Sequence, residues 1–248
     1  AGLALAATLA AVGDRMLRAG DDEQRLFSHV EVDESGPKDP WGKAVGDVDG
    51  DGVPDLVVGG HAGGGLVGHR GPDRSRHVIA RSGSFGTDVE VVDVDGDGRA
   101  DVVAIMSDRL SWFRQSSSGE WHERSISRAR FHDVEVGDLD DDGIVDLVAR
   151  NQSAFGGDGS HVYLFYGSRD GEWKQRAIEG PAGEGVKLVD VDADGRPDIV
   201  LNAWWYRNPG ARDASWTGYH YARTWDWPHA VVDVADFDGD GRRDIVLS

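Results

Sequence analysis

The chain has 248 residues, with 45 Asp and Glu against 26 Lys and Arg, a net charge of −19, 35 Gly, 9 Trp and no Cys. That length can bury a substantial core, and the charge argues against nucleic acid or an anionic membrane surface as the main partner. The lack of Cys excludes disulfides, thiol nucleophiles and cysteine-held zinc or iron–sulfur centres. The first apolar run, Ala1–Val12, is too short to span a bilayer. Residues 1–25 are expected to be an apolar segment, either a signal remnant or a short helix, and residues 26–248 the folded repeat domain. Leu26–Val32 has the pattern of an outer strand.

From there one segment returns five times. V-G-D-V-D-G-D-G-V-P-D-L-V-V at 45–58 recurs at 91–104, 136–149, 188–201 and 234–247. The lead aspartates are Asp47, Asp93, Asp138, Asp190 and Asp236, spaced by 46, 45, 52 and 46 residues. A β-prone run precedes each copy and another follows it, so each aspartate loop is expected to join two strands as a hairpin. Aromatic or apolar runs come next, at Gly65–Arg70, Leu110–Arg114, His161–Tyr166 and Trp204–Arg207, and a fourth set starts near Arg76, Trp121, Trp173 and Trp216. Four short strands in about 45–50 residues is the size of one propeller blade. The fold class is therefore all-β, a β-propeller of four-stranded blades with five repeats visible. The last copy leaves residues for two inner strands only, so the expectation is a part of a longer propeller of about seven blades. A five-bladed ring with one incomplete blade is the alternative.

Within each loop carboxylates fall at positions 1, 3, 5 and 9, with Gly at position 6. They are Asp47, Asp49, Asp51 and Asp55; Asp93, Asp95, Asp97 and Asp101; Asp138, Asp140, Asp142 and Asp146; Asp190, Asp192, Asp194 and Asp198; and Asp236, Asp238, Asp240 and Asp244. Alternating acids on a tight loop aim several hard oxygens at one centre, which suits Ca²⁺; Zn²⁺ would want His or Cys, and Mg²⁺ would keep several waters. Asp-Gly turns are good hairpin turns in themselves, but that accounts for one or two acids per loop, not four. Two carboxylates ~5 Å apart repel by ~3 kcal/mol at an effective dielectric of ~20, so a cation is expected in each loop, up to five in all. An EF-hand is excluded, because position 12 is Val58, Ala104, Ala149, Leu201 or Leu247 rather than Glu. Twenty of the 45 acids are these position-1, -3, -5 and -9 aspartates, which leaves the other charged residues close to neutral.

The repeated D-x-D-x-D-G-x-x-D hairpin resembles the FG-GAP / VCBS-type repeat, the calcium-bearing blade of integrin α-subunit propellers and of many exported bacterial proteins. The Phe-Gly pair appears only at Phe85-Gly86, which is closer to the bacterial form, and Asp141 and Ala193 replace Gly at position 4. The resemblance implies that the loops stabilise one rim and that a ligand would sit on the opposite face. On that face the expected ligand-binding residues are Trp41, His61, Asn151, Asn202, Trp204, Trp225 and Trp227. His132 and His229, six and seven residues before the lead aspartates of their repeats, are the candidates for a catalytic base. Trp121, Trp173 and Trp216 are read as packing, and His77, His122 and His220 as exposed blade-edge residues. The functional expectation is a secreted, extracellular or periplasmic binding or adhesion module for carbohydrate or protein, with no nucleic acid and no membrane span. A polysaccharide lyase or sugar dehydratase on the same scaffold is the alternative.

Overall fold

The computed structural model describes residues 29–151, 161–225, 227 and 229–248. Two compact units divide at Glu34/Ser35, and every described strand lies in Ser35–Ser248. The apolar segment expected at 1–25, whether signal remnant or short helix, falls outside the described residues. His29–Val32, expected to belong to an outer strand, carries none.

Blade 1 consists of β1 (Pro40–Gly46), β2 (Asp55–Gly60), β3 (Gly65–His69) and β4 (Arg76–Ala80). Blade 2 has β5 (Phe85–Val92), β6 (Asp101–Met106), β7 (Leu110–Gln115) and β8 (Trp121–Ser127). Blade 3 has β9 (Asp133–Gly137), β10 (Asp146–Arg150), β11 (His161–Tyr166) and β12 (Lys174–Glu179). In blade 4 they are β13 (Val186–Val189), β14 (Asp198–Leu201), β15 (Trp204–Arg207) and β16 (Thr217–His220), and the fifth repeat is the hairpin β17 (Val232–Ala235) and β18 (Asp244–Leu247). Each sheet is an antiparallel meander in chain order, so the all-β, propeller-like repeat expected from the period is what the chain forms.

The second strands of blades 2 and 3, Asp101–Met106 and Asp146–Arg150, are buried throughout, and their apolar stretches Val102–Met106 and Leu147–Ala149 are covered on both faces. The fourth strand is the edge, and β8 shields itself with the exposed charges of Glu123 and Arg124. The core lies between blades rather than within them. One cluster joins Leu66 and Val57 of blade 1 to Phe85, Val102 and Phe113 of blade 2. A second joins Trp112 and Ile105 to Phe131, Leu147 and Phe165, and a third joins Leu164 and Val148 to Ile199, Leu201 and Tyr206. Each fully buried Leu, Ile or Phe contributes roughly 1.5–3 kcal/mol. Inner strands β1, β5, β9, β13 and β17 are consecutive neighbours. Blade 1 approaches blade 2 closely because its inner strand has glycines: a Cβ on Gly42 would stand 2.6 Å from Val89.

Candidate metal centres and the opposite face

The five aspartate loops join the first strand of each repeat to the second and share one hydrogen-bond scheme. The position-1 carboxylate folds the loop around itself: Asp47 Oδ1 accepts from Gly50 N (2.8 Å) and Asp51 N (3.1 Å), and Oδ2 from Gly52 N (2.9 Å). Asp93, Asp138, Asp190 and Asp236 take the position-5 and position-6 amides in the same way. Position 6 has positive φ in all five loops, and a Cβ there would meet nothing, so dihedral freedom alone accounts for Gly52 and its equivalents. Position 4 is left-handed as well, including at Asp141 (φ 61°) and Ala193 (φ 60°).

Position 9 has a second task. Asp55 Oδ2 accepts from Val48 N (2.8 Å) and Oδ1 from Gly71 N (2.8 Å), tying the loop to the end of the third strand. Asp101, Asp146 and Asp198 repeat this with Gln115, Gly167 and Asn208. All four are at most 1 % exposed. Burial pushes the Asp101 carboxyl up to about 6 and that of Asp146 to about 7; a bound cation would act in the opposite sense.

In four loops carboxylate oxygens from positions 1, 3 and 9 lie within 4.8 Å of one another; in the fourth they come from Asp190, Asp192 and Asp194. The donor set is oxygen only. Asp95 Oδ1 and Asp140 Oδ1, at position 3, are buried without a hydrogen-bond partner. An orphaned carboxylate oxygen among two others fits a hard cation, so these residues suit Ca²⁺.

Arginines that sequence reasoning did not single out also face these carboxylates. Arg70 Nε lies 3.1 Å from Asp49, Arg114 contacts Asp95 and Asp97, and Arg207 contacts Asp192 (2.6 Å) and Asp194 (3.1 Å). All three end the third-strand aromatic runs, a recurrence visible in the sequence. Blade 3 has Tyr166 at that place. There Arg212 reaches over from blade 4, its guanidinium 5.2 Å from the Tyr166 ring and in contact with Asp140 and Asp142.

The opposite end gathers part of the expected ligand set. Trp41 stacks on His61 (4.3 Å, 14°), and both line a 210 Å³ cleft with Thr87, Arg130, Phe131 and His132. Trp204 is elsewhere: with Tyr206, Trp216, His161, Glu179 and Gly218 it lines a 630 Å³ cleft between the outer strands of blades 3 and 4. Trp225 and Trp227 are bound to each other, Trp225 Nε1 donating to Trp227 O (3.0 Å), with Trp227 well exposed. Asn151 and Asn202 are not surface ligands, being 3 % and 5 % exposed. Asn202 Oδ1 accepts from Ala203 N (2.8 Å), so its side chain holds the strand turn. Two blade-edge histidines are also less exposed than expected: His220 stacks on Trp204 (4.6 Å, 5°), and His77 covers Gly68, where a Cβ would collide with its ring. The packing tryptophans Trp121, Trp173 and Trp216 border the three inter-blade clusters.

Glu184 brings His132 and His229 to one point, with Oε1 at 3.3 Å from His132 Nε2 and 3.4 Å from His229 Nδ1. Asp133 Oδ2 lies 3.1 Å from His132 Nδ1. Burial opposes charge on His132, but Asp133, Glu184 and Asp88 outweigh it and raise its pKa. Arg150, completely buried, fixes the loop that carries Glu184 by donating to Pro181 O (2.8 Å), Glu184 O (3.2 Å) and Gly185 O (2.7 Å). Nothing in the local sequence marks Glu184 or Arg150; the strand register alone unites them. On the inner strands, burial and then the charges of Glu135 and Asp88 push Glu90 up to about 9, while Glu135 contacts Lys187.

A family model described as FG-GAP-like repeat matches the chain in three overlapping stretches, 93–149, 138–201 and 190–247. No curated protein matches the chain. Among solved structures, an Agrocybe aegerita lectin, described for specific recognition of non-reducing terminal N-acetylglucosamine, is similar at 18 % identity with a TM-score of 0.61. The match covers 85 % of this chain and 61 % of the lectin. The V. cholerae biofilm matrix protein Bap1 is similar at 19 % identity with a TM-score of 0.54, over 90 % of this chain and 37 % of Bap1. The chain thus spans less than two thirds of the length of either. No described helix is long and apolar enough to cross a membrane.

Proposed function

Because this chain belongs to the FG-GAP-like repeat family, we propose that it is a calcium-stabilised extracellular binding module whose ligand is carbohydrate. The observation that carries the calcium reading is the repeated carboxylate triad, together with the orphaned oxygens of Asp95 and Asp140. Oxygen-only cages of this kind are weak enough to fill reliably where calcium is abundant, which favours a location outside the cytosol. The carbohydrate reading rests on the 630 Å³ cleft, where Trp204 and Trp216 offer aromatic surface while Glu179 and His161 supply hydroxyl-bonding groups. The lectin neighbour agrees with this choice of ligand class.

Binding is favoured over a lyase because neither candidate base, His132 or His229, lines the 630 Å³ aromatic cleft. The test is a glycan panel presented to the calcium-loaded protein, alongside Trp204→Ala and Trp216→Ala variants with unchanged circular dichroism. Retention of a glycan, weakened at least tenfold by either substitution, supports the cleft. No retained glycan, or retention unaffected by both, overturns it.

A further inference from the structure

The group around Glu184 is chemically unlike the loops, since it pairs one carboxylate with two imidazoles contributed by different repeats. His132 enters from the link before β9, Glu184 from the link before β13 and His229 from the link before β17. We infer that His132 Nε2, Glu184 Oε1 and His229 Nδ1 form a binding site for a zinc-like transition-metal ion, distinct from the calcium loops.

Three observations carry it. The two nitrogen–oxygen separations, 3.3 and 3.4 Å, are long for hydrogen bonds. They match the ligand–ligand edge of a tetrahedral zinc site, which bonds of about 2.0–2.1 Å set at roughly 3.3 Å. The support around the site is also of the right kind. Asp133 faces His132 Nδ1 at 3.1 Å and so turns Nε2 toward Glu184, the carboxylate–histidine arrangement that orients metal ligands. Arg150, held without solvent exposure, anchors three carbonyls of the 181–185 link and so fixes where Glu184 stands.

The site closes by one movement. Among the described residues, the groups whose ligand atoms all lie within 4.8 Å of one another are the five loop triads, so the gap between the two imidazoles must shrink. His229, with 44 % of its side chain exposed, is the ligand free to move. Two histidines and one carboxylate leave a fourth position for water. Softer imidazole ligands favour zinc over the calcium that fills oxygen cages, so the two kinds of site load independently.

The test uses tag-free full chain in saturating calcium. Zn²⁺ is titrated by calorimetry, and Co²⁺ is added separately to read coordination from its visible spectrum. The expected result is one zinc equivalent and a tetrahedral cobalt spectrum, with affinity falling at least tenfold in His229→Asn and in Glu184→Gln. Asp133→Asn, a positioning change, is expected to weaken binding by about 10–100-fold. Absence of zinc binding, or zinc and the cobalt spectrum retained in both His229→Asn and Glu184→Gln, would overturn the site. Since neither residue is buried in a core cluster, unchanged melting in calcium separates loss of metal from loss of fold.

Discussion

The aspartates of one loop should separate into two kinds when calcium is withdrawn, and the first loop provides the cleanest comparison. Asp55 is 1 % exposed, and its two oxygens accept from Val48 N and Gly71 N at 2.8 Å each. In Asp55→Ala two amides lose their acceptor, at about 1–3 kcal/mol for each donor left unsatisfied away from water, or about 2–6 kcal/mol in all. Asp49 is exposed, accepts from Asp51 N at 3.2 Å and pairs with Arg70 at 3.1 Å. A surface pair of that kind contributes about 0–1 kcal/mol, so Asp49→Ala in chelator should be nearly silent. With calcium at about 100 times its dissociation constant, each filled loop adds about 2.7 kcal/mol, and Asp49→Ala should then lose most of that amount. Urea unfolding monitored by tryptophan fluorescence, run with chelator and with calcium, measures all four differences. If Asp55→Ala costs less than about 1 kcal/mol in chelator, or if the cost of Asp49→Ala does not grow with calcium, the division of labour proposed for positions 9 and 3 is wrong.

Three other outcomes follow from single residues. Ala193 holds φ 60° where the first, second and fifth loops have Gly, so Ala193→Gly should raise stability by about 0.5–1 kcal/mol, read from the urea midpoint; a loss would show that the left-handed strain is absent. Glu90 has a folded pKa raised to about 9 by burial, so it binds a proton in the folded state that it releases on unfolding near neutrality. Its contribution is fully present below about pH 4.5 and is lost as pH rises toward 9. Glu90→Gln should therefore flatten the decline in melting temperature between pH 5 and 9, and an unchanged profile would count against it. Arg150→Met leaves three carbonyls of the 181–185 link without their donor and should cost about 3 kcal/mol in calcium, measured by thermal melting.

The blades were readable in the sequence because the aspartate loop fixes its flanking strands: the first and second strands must leave and enter a nine-residue turn, and the aromatic runs mark the third. The lead and alternating aspartates were readable for the same local reason. What could not be read is whatever depends on a neighbouring blade. Glu184 lies more than fifty residues from His132 in the chain and meets it only because β9 and β13 are adjacent. Arg212 contacts Asp140 and Asp142 because Tyr166 occupies the place where other blades keep an arginine, a substitution whose meaning appears only in three dimensions. Asn151 and Asn202 looked like surface ligands because polar residues in links between strands usually are, yet burial turned them inward.

The amide side chains beside the position-9 tether reach one blade further. Gln115 Nε2 donates to Val48 O (3.0 Å) and Asn208 Nδ2 to Leu139 O (2.8 Å), so in each case the end of a third strand is bonded to the aspartate loop of the preceding blade. A pull that slides one sheet past the next must therefore deform an aspartate loop before it can part the apolar layer between them. With calcium in the loops as proposed, resistance to shear along the row of blades would follow the ion concentration around the molecule, making dissolved calcium a control on its mechanical stiffness.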